Sequence, residues 1–245
     1  MNIKYLQIII LAGVFFLQYF FEHIYPQREE INDWKNERFN IGIGLLNVIV
    51  TFIPAALFVQ WVAYIELKKF GILHLIMPPI WLQLLFSILT LDAWMYAWHR
   101  LNHQLPFLWR FHSFHHKDEK MNSTTAVRFH AVELLMSYPG KALVCFLFGI
   151  SYIPLLVYEI LFFIAVIIHH SNIYITERVD YFYRIFFSSP LMHRIHHSKN
   201  WDETNSNFGA LFSFWDLLFN SRKNKASGII EFGIFSSHKK KESNI

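Results

Sequence analysis

Cysteine is almost absent from this chain: Cys145 is the single one. That excludes an internal disulfide framework, a cysteine-based zinc site and a cysteine-held iron–sulfur cluster. No glycine-rich dinucleotide fingerprint occurs, and no segment reads as a fused haem domain, so the chain brings no redox cofactor of those kinds with it. There is no H-E-x-x-H, which removes the zinc-protease pattern. Charge is scarce too. Only 16% of the 245 residues are Asp, Glu, Lys or Arg, against about 25% in soluble domains. No basic surface is interleaved with aromatics, so nucleic acid is excluded as a partner.

What fills the space is hydrocarbon. The chain is 54% hydrophobic, with 26 phenylalanines, and this points to lipid as its solvent. Residues 3–25 are apolar apart from Lys4 and Glu22 and lack a small-residue cleavage site, so they read as a retained span and not as a signal peptide. Residues 39–65 carry no charge and are long enough for a hydrocarbon core of about 30 Å; Pro54 is expected to kink them. Pro78-Pro79 break the next apolar run. A third span is therefore expected from near Pro79 to about Trp98, with the piece before it interfacial or re-entrant. Residues 132–175 are too long for one crossing at 1.5 Å per residue. Gly149 and Pro154 divide them into a hairpin of two spans, and the hairpin returns the chain to the face it left.

The other abundance is histidine in rows: His99-x-x-x-His103, His112-x-x-His115-His116 and His193-x-x-His196-His197. Residues i, i+3 and i+4 of a helix share a face, so each row is expected to present its imidazoles to a single point. Pro106 suits the first position of the helix carrying the second row, and Ser189-Pro190 read as N-cap and first residue of the helix carrying the third. With the hairpin in place, all three rows fall on one membrane face. His170 ends the hairpin on that face and is the expected ninth ligand, with His169 as second choice. His130 is expected either as a ligand or as a group that orients one. Asp92 and Glu133 are the expected carboxylate partners for ligand N–H groups, with pairing to Arg100 or Arg128 as the alternative. Asp92, Tyr96 and His99 share one helical face. The loop from Trp201 to Gly209 reads equally as a lid over the site or as a plain polar loop, and Trp215-Asp216 as a short helix on the membrane surface.

A closed zinc site takes four ligands. Nine histidines are about twice that, so two metals are the economical reading. Imidazole serves several first-row metals. Zinc cannot supply electrons to O2, so two iron ions are the functional expectation, with zinc able to replace them in purified samples and O2 as co-substrate. A membrane protein that only binds or transports metal is the non-enzymatic alternative; ligands clustered at span ends, away from the midplane, count against it.

The ordered set Asp92-x-x-x-Tyr96-x-x-His99-Arg100-x-x-His103, His112-x-x-His115-His116, Arg128-x-His130-x-x-Glu133, His170-Ser171-Asn172, His193-Arg194-x-His196-His197, Asn207-Phe208-Gly209 and Trp215-Asp216 resembles the membrane-bound fatty acid hydroxylase/sterol desaturase superfamily. The resemblance spans about residues 80–220. It implies an O2-dependent non-haem di-iron enzyme of lipid metabolism with the histidines as ligands, whose activities include hydroxylation, desaturation and ether-lipid cleavage. Val166 stands where some relatives carry a further histidine, which leaves the ligand number at one metal open.

The expectation is thus an all-α polytopic membrane protein of four to five spans with a cytoplasmic helical cap. Residues 1–78 form N-terminal spans, 79–220 the catalytic region and 221–245 a basic, flexible tail containing Lys239, Lys240 and Lys241. Arg100, Arg110, Lys117, Lys120, Arg194 and Lys199 fall on the histidine face, which the positive-inside bias makes cytoplasmic. The reaction expected is hydroxylation of an aliphatic C–H bond of a lipid, with desaturation or ether-lipid oxidation as the alternative. Electrons must come from an external reductase acting with a ferredoxin or cytochrome.

Overall fold

The computed structural model describes residues 3–31 and 33–234. Lys239 to Lys241 of the expected tail lie outside the described residues. Every named element among the described residues is helical. Four stretches are long and apolar enough to cross a membrane: Trp34–Ile76, Ile80–Gln104, Ala131–Phe148 and Tyr152–His170. The first joins α2 (Trp34–Lys68) to the short α3 (Ile72–Ile76). The others are α4 (Ile80–Gln104), α6 (Ala131–Phe148) and α7 (Tyr152–His170). The N-terminal α1 (Ile3–Ile24) contributes a shorter apolar stretch, Ile9–Ile24.

Polar contacts and tight turns define two ends of this bundle. At the histidine end, Glu22 near the close of α1 accepts hydrogen bonds from the Ser123 amide at 3.0 Å, the Ser123 hydroxyl and the Asn172 amide at 2.8 Å. The start of α2 is held there by Asp118, which accepts from Asn36 at 2.9 Å and from Asn40 and Thr125 at 2.8 Å. At the opposite end the chain turns through Gly71 and Gly149, whose φ angles of 94° and 72° lie in the left-handed region. A Cβ on Gly71 would sit 2.1 Å from the Gly149 amide nitrogen, so the two turns abut only because both lack side chains. α2 therefore leaves the histidine end, α4 returns, α6 leaves and α7 returns.

α2 continues through Pro54 as one helix, and α4 begins directly after Pro79. α2 exposes Val48, Ile49, Phe52 and Ile53, as a lipid-facing helix should. The buried core, with Val62, Ile65, Leu91, Cys145, Ile150 and Tyr158, lies between α2, α4, α6 and α7.

Short helices cap the histidine end: α5 (Pro106–His116), α8 (Glu177–Tyr183), α9 (Pro190–His196), α10 (Trp201–Thr204) and α11 (Phe214–Leu218). Pro106 and Pro190 occupy first-turn positions as the sequence suggests. The Ser189 hydroxyl caps α9 by accepting from the Met192 amide at 3.2 Å. The stretch from Ser221 to Ile234, expected within a loose tail, instead packs on this cap. Phe232 is buried, Arg28 donates to the Ile230 carbonyl at 2.8 Å, and the Lys199 amide donates to the Glu231 carbonyl at 2.8 Å.

Candidate metal centre

The nine histidines of the three rows and His170 gather at the head of α4 and α7 in two groups. One holds His99, His103, His112, His116 and His196; the other holds His115, His170, His193 and His197. Within each group one nitrogen from every residue lies within 4.8 Å of the rest. The rows do not each converge on one point, as their spacing suggested. α5 sends His112 and His116 to the larger group and His115 to the smaller; α9 sends His193 and His197 to the smaller and His196 to the larger. The cause is helical geometry. Residues i and i+4 nearly eclipse, whereas adjacent residues are turned about 100° apart, so an H-x-x-H-H row on one helix serves two centres.

Five of the rings are oriented by acceptors at Nδ1. The partners are the Phe208 carbonyl for His99 (2.9 Å), Glu133 for His112 (2.8 Å), the Arg128 carbonyl for His115 (3.1 Å), the Val166 carbonyl for His170 (2.7 Å) and the Ser206 carbonyl for His196 (2.7 Å). An acceptor there places the ring proton on Nδ1 and leaves Nε2 as a lone pair. The Nε2 atoms of His115 and His170 then face one another at 3.0 Å, and that of His193 lies 3.0 Å from His170. Facing lone pairs repel. Their spacing is that of neighbouring ligands on a metal with metal–nitrogen distances of about 2.1 Å. In the larger group, Nε2 of His112 and His196 and both nitrogens of His103 and His116 are buried without a protein partner, as are both of His197 in the smaller. Buried unpaired nitrogens are costly. Burial, reinforced by neighbouring imidazoles, holds the pKa of His115, His116, His193, His196 and His197 well below the ordinary histidine range. The rings are therefore neutral donors, as metal ligation requires, and the donor set suits a metal centre.

The remaining sequence candidates fall around this centre. Glu133 orients His112 and also accepts from Asn102 at 3.2 Å. Asp92 does not reach a histidine, contrary to expectation: two turns of α4 set it about 10 Å from His99 along the axis. It accepts instead from the amides of Leu211 (3.2 Å) and Phe212 (3.0 Å), the Trp215 indole (2.8 Å) and the Tyr158 hydroxyl (3.3 Å). Tyr96 bonds the Ser221 hydroxyl at 2.8 Å and accepts from Arg100 at 3.1 Å. His130 caps α6, its Nδ1 accepting from the Val132 amide at 3.2 Å; it belongs to neither group. His169 also lies outside both, its ring centroid 3.9 Å from that of His193. Asn207, at φ 55°, ties the Met192 carbonyl (3.0 Å) to the Lys223 amide (2.8 Å). The loop around it supplies the Ser206 and Phe208 carbonyls and so is part of the centre's frame. The helix bearing Trp215 is anchored inward by buried Asp216, which accepts from the amides of Phe208 (2.7 Å) and Gly209 (2.9 Å).

A cavity of about 250 Å³ opens below both groups. Its upper wall carries His99, His112, His115, His170 and His193 together with Glu133; its sides are Met95, Trp98, Phe129, Leu134, Phe162 and Val166. Trp98 and Phe129 were not singled out by motif, because apolar wall residues carry no spacing signature. Neither were Lys141 and Glu159, which line its deeper part.

Comparison with known proteins agrees with this arrangement. The profile of the fatty acid hydroxylase family matches residues 84–221, the stretch holding all nine histidines. The chain is 29% identical over 148 residues to the ornithine lipid hydroxylase OlsE of Rhizobium tropici, covering 60% of this chain and 43% of that protein. It is 28% identical over 137 residues to an alkylglycerol monooxygenase of Caenorhabditis elegans, covering 56% and 26%. With the very-long-chain aldehyde decarbonylase GL1-9 of Oryza sativa subsp. indica it shares 26% over 148 residues, covering 58% and 56%. The chain thus spans less than half the length of the first two. No solved structure matches it. Helical histidine rows at the head of an apolar cavity, together with a family match over more than half of the chain, lead to one assignment: the chain belongs to the fatty acid hydroxylase family.

Proposed function

We propose that the chain is an integral-membrane, O2-dependent oxidoreductase that hydroxylates an aliphatic C–H bond of a lipid. The observation that carries this reading is the junction of two nitrogen-rich histidine groups with an apolar cavity opening toward the spans. Two iron ions held by the nine histidines would supply the electrons and open coordination positions that activation of O2 requires. The chain's own residues do the rest. Met95, Trp98, Phe129, Leu134 and Phe162 hold an acyl or sterol-like chain and exclude water. Glu133 and the Arg128, Val166 and Phe208 carbonyls fix the tautomers of the imidazoles facing that chain, and the Ser206 carbonyl that of His196 behind them. Residues 79–220 form the catalytic region, and the spans before them complete the bilayer frame. Electrons come from an external reductase with a ferredoxin or cytochrome, which reaches the basic cytoplasmic face.

Desaturation or ether-lipid oxidation by the same centre is the alternative, and a relative named as an alkylglycerol monooxygenase favours the latter. Iron analysis of the purified protein, with mass spectrometry of lipids from expressing cells supplied with a reductase, tests both. A gain of one oxygen supports hydroxylation, and loss of two hydrogens supports desaturation. Lipid profiles unchanged between wild type and His196→Ala would overturn the enzymatic reading.

A further inference from the structure

Lys141 and Glu159 form an ion pair, Nζ to Oε1 2.9 Å, between α6 and α7. Each lies near the middle of its span, where charge is expensive and is retained where it serves a site. The pair is not sealed between helices. Both residues line the same cavity as the histidines, with side-chain exposures of 13% and 32%. Beside them on the wall stand Ser137, Tyr138 and Thr51. The hydroxyls of Ser137 and Thr51 donate to the carbonyls of Leu134 and Asn47 at 2.7 Å each, leaving oxygen lone pairs free to accept. A mere clasp between two helices is served as well by apolar packing, so an ion pair and three hydroxyls on a cavity wall point to something polar inside.

The charge balance defines that occupant. The pair is neutral as a unit, and a charged ligand beside it would bury an unbalanced charge. A hydroxyl adds no charge and can both accept a Lys141 N–H and donate to the oxygens around it. Position defines the spacing. Along α6, Lys141 lies about 12 Å from Glu133, and along α7, Glu159 lies about 16 Å from His170, at 1.5 Å per residue. We propose that Lys141 and Glu159, with Tyr138, form a polar subsite that receives an uncharged oxygen function of the lipid substrate, roughly 12–16 Å from the carbon presented to the histidines. This rests on the lipid-oxidising reading above and narrows it to chains carrying a second oxygen at a set distance.

Binding tests it without turnover, so failure here is distinguishable from failure of the oxidative reading. The full chain in nanodiscs is titrated with 1-dodecanol and with tridecane, in which a methyl group replaces the hydroxyl, each corrected for uptake by protein-free nanodiscs. Wild type is expected to bind 1-dodecanol about tenfold more tightly than tridecane, the worth of one or two hydrogen bonds. Lys141→Met with Glu159→Leu, a replacement of an ion pair by packing that folded proteins tolerate, is expected to abolish the preference while tridecane still binds. Should that double variant fail to fold, Tyr138→Phe decides, with a reduction of the preference by about threefold expected for one lost hydroxyl. Equal binding of the two by wild type overturns the subsite. So does a preference that survives unchanged in whichever variant decides.

Discussion

Nδ1 of His112 lies 2.8 Å from a carboxylate oxygen of Glu133, the first from α5 and the second from the opening turn of α6. The contact fixes the His112 tautomer and aims its Nε2 at four other imidazoles. Glu133→Ala is therefore expected to weaken metal binding by 10- to 100-fold, the usual cost of removing a group that orients a ligating histidine. Glu133→Gln, which keeps an acceptor, should lose less. Metal retained after dialysis against a graded chelator series measures both, and equal retention in Glu133→Ala and wild type would refute the role.

Protonation should compete with the fold of the metal-free protein. His115, His116, His193, His196 and His197 are held neutral by burial, while the same residues in the unfolded chain titrate near 6.5. The unfolded state therefore binds more protons, and stability rises with pH. It is fully present above about pH 7.5 and is lost as pH falls through 6.5 and below, by up to about 1.4 kcal/mol per such histidine per pH unit. Thermal midpoints of chelator-treated protein at pH 8, 6.5 and 5.5 should fall steeply between the last two. Metal-loaded protein should hold its midpoint to lower pH.

Asp92 carries four hydrogen bonds from α7 and the stretch that leads into α11. Asp92→Ala leaves those donors buried and unpaired, a loss of order 3 kcal/mol or more. Its expected signature is a lowered thermal midpoint. Asp92→Asn should lie between that variant and wild type.

Trp94 of α4 rests on Gly140 of α6, where an added Cβ would meet the indole at 2.2 Å. Gly140→Val should destabilise by about 1–3 kcal/mol through overpacking, and Trp94→Ala in the same chain should recover part of that loss. Additive effects in the double variant would show that the two residues do not share this contact.

Orientation is open to a direct check because the chain has one cysteine, and Cys145 is buried. With Cys145→Ala in place, Lys117→Cys on the exposed surface at the end of α5 should react with an impermeant maleimide only after cells are opened. Labelling of intact cells would place the histidine face outside.

Four of the expected spans and the nine clustered histidines are legible in the sequence because both rest on short-range regularities: apolar runs of bilayer length, proline and glycine breaks, and helical spacing; the expected span over residues 3–25 shows only the shorter apolar stretch Ile9–Ile24. The division of two rows between two groups is not legible in the spacing alone. It follows from the 100° step between His115 and His116, which mattered only once two target points existed. Asp92 was read as a histidine partner because it shares a helix face with His99. Its partners are the amides of Leu211 and Phe212, the Trp215 indole and the Tyr158 hydroxyl, all distant in sequence and marked by no local pattern. The sequence leaves His130 as a ligand or as a group that orients one; its place just before α6 makes it the helix cap instead. Lys141 and Glu159 escaped notice because a single charge within an apolar run carries no motif, and the pairing spans a turn at Gly149.

The division of α5 and α9 between the two groups sets an order of events during synthesis. The larger group needs His196, and the smaller needs His193 and His197. All three lie on α9 or at its C-cap, the last histidine-bearing helix among the described residues, made after every long span. A nascent chain holding α4 and α5 alone offers only a partial set of nitrogens. Both centres become complete together, at the moment α9 docks, so a chain cut short before residue 196 finishes neither.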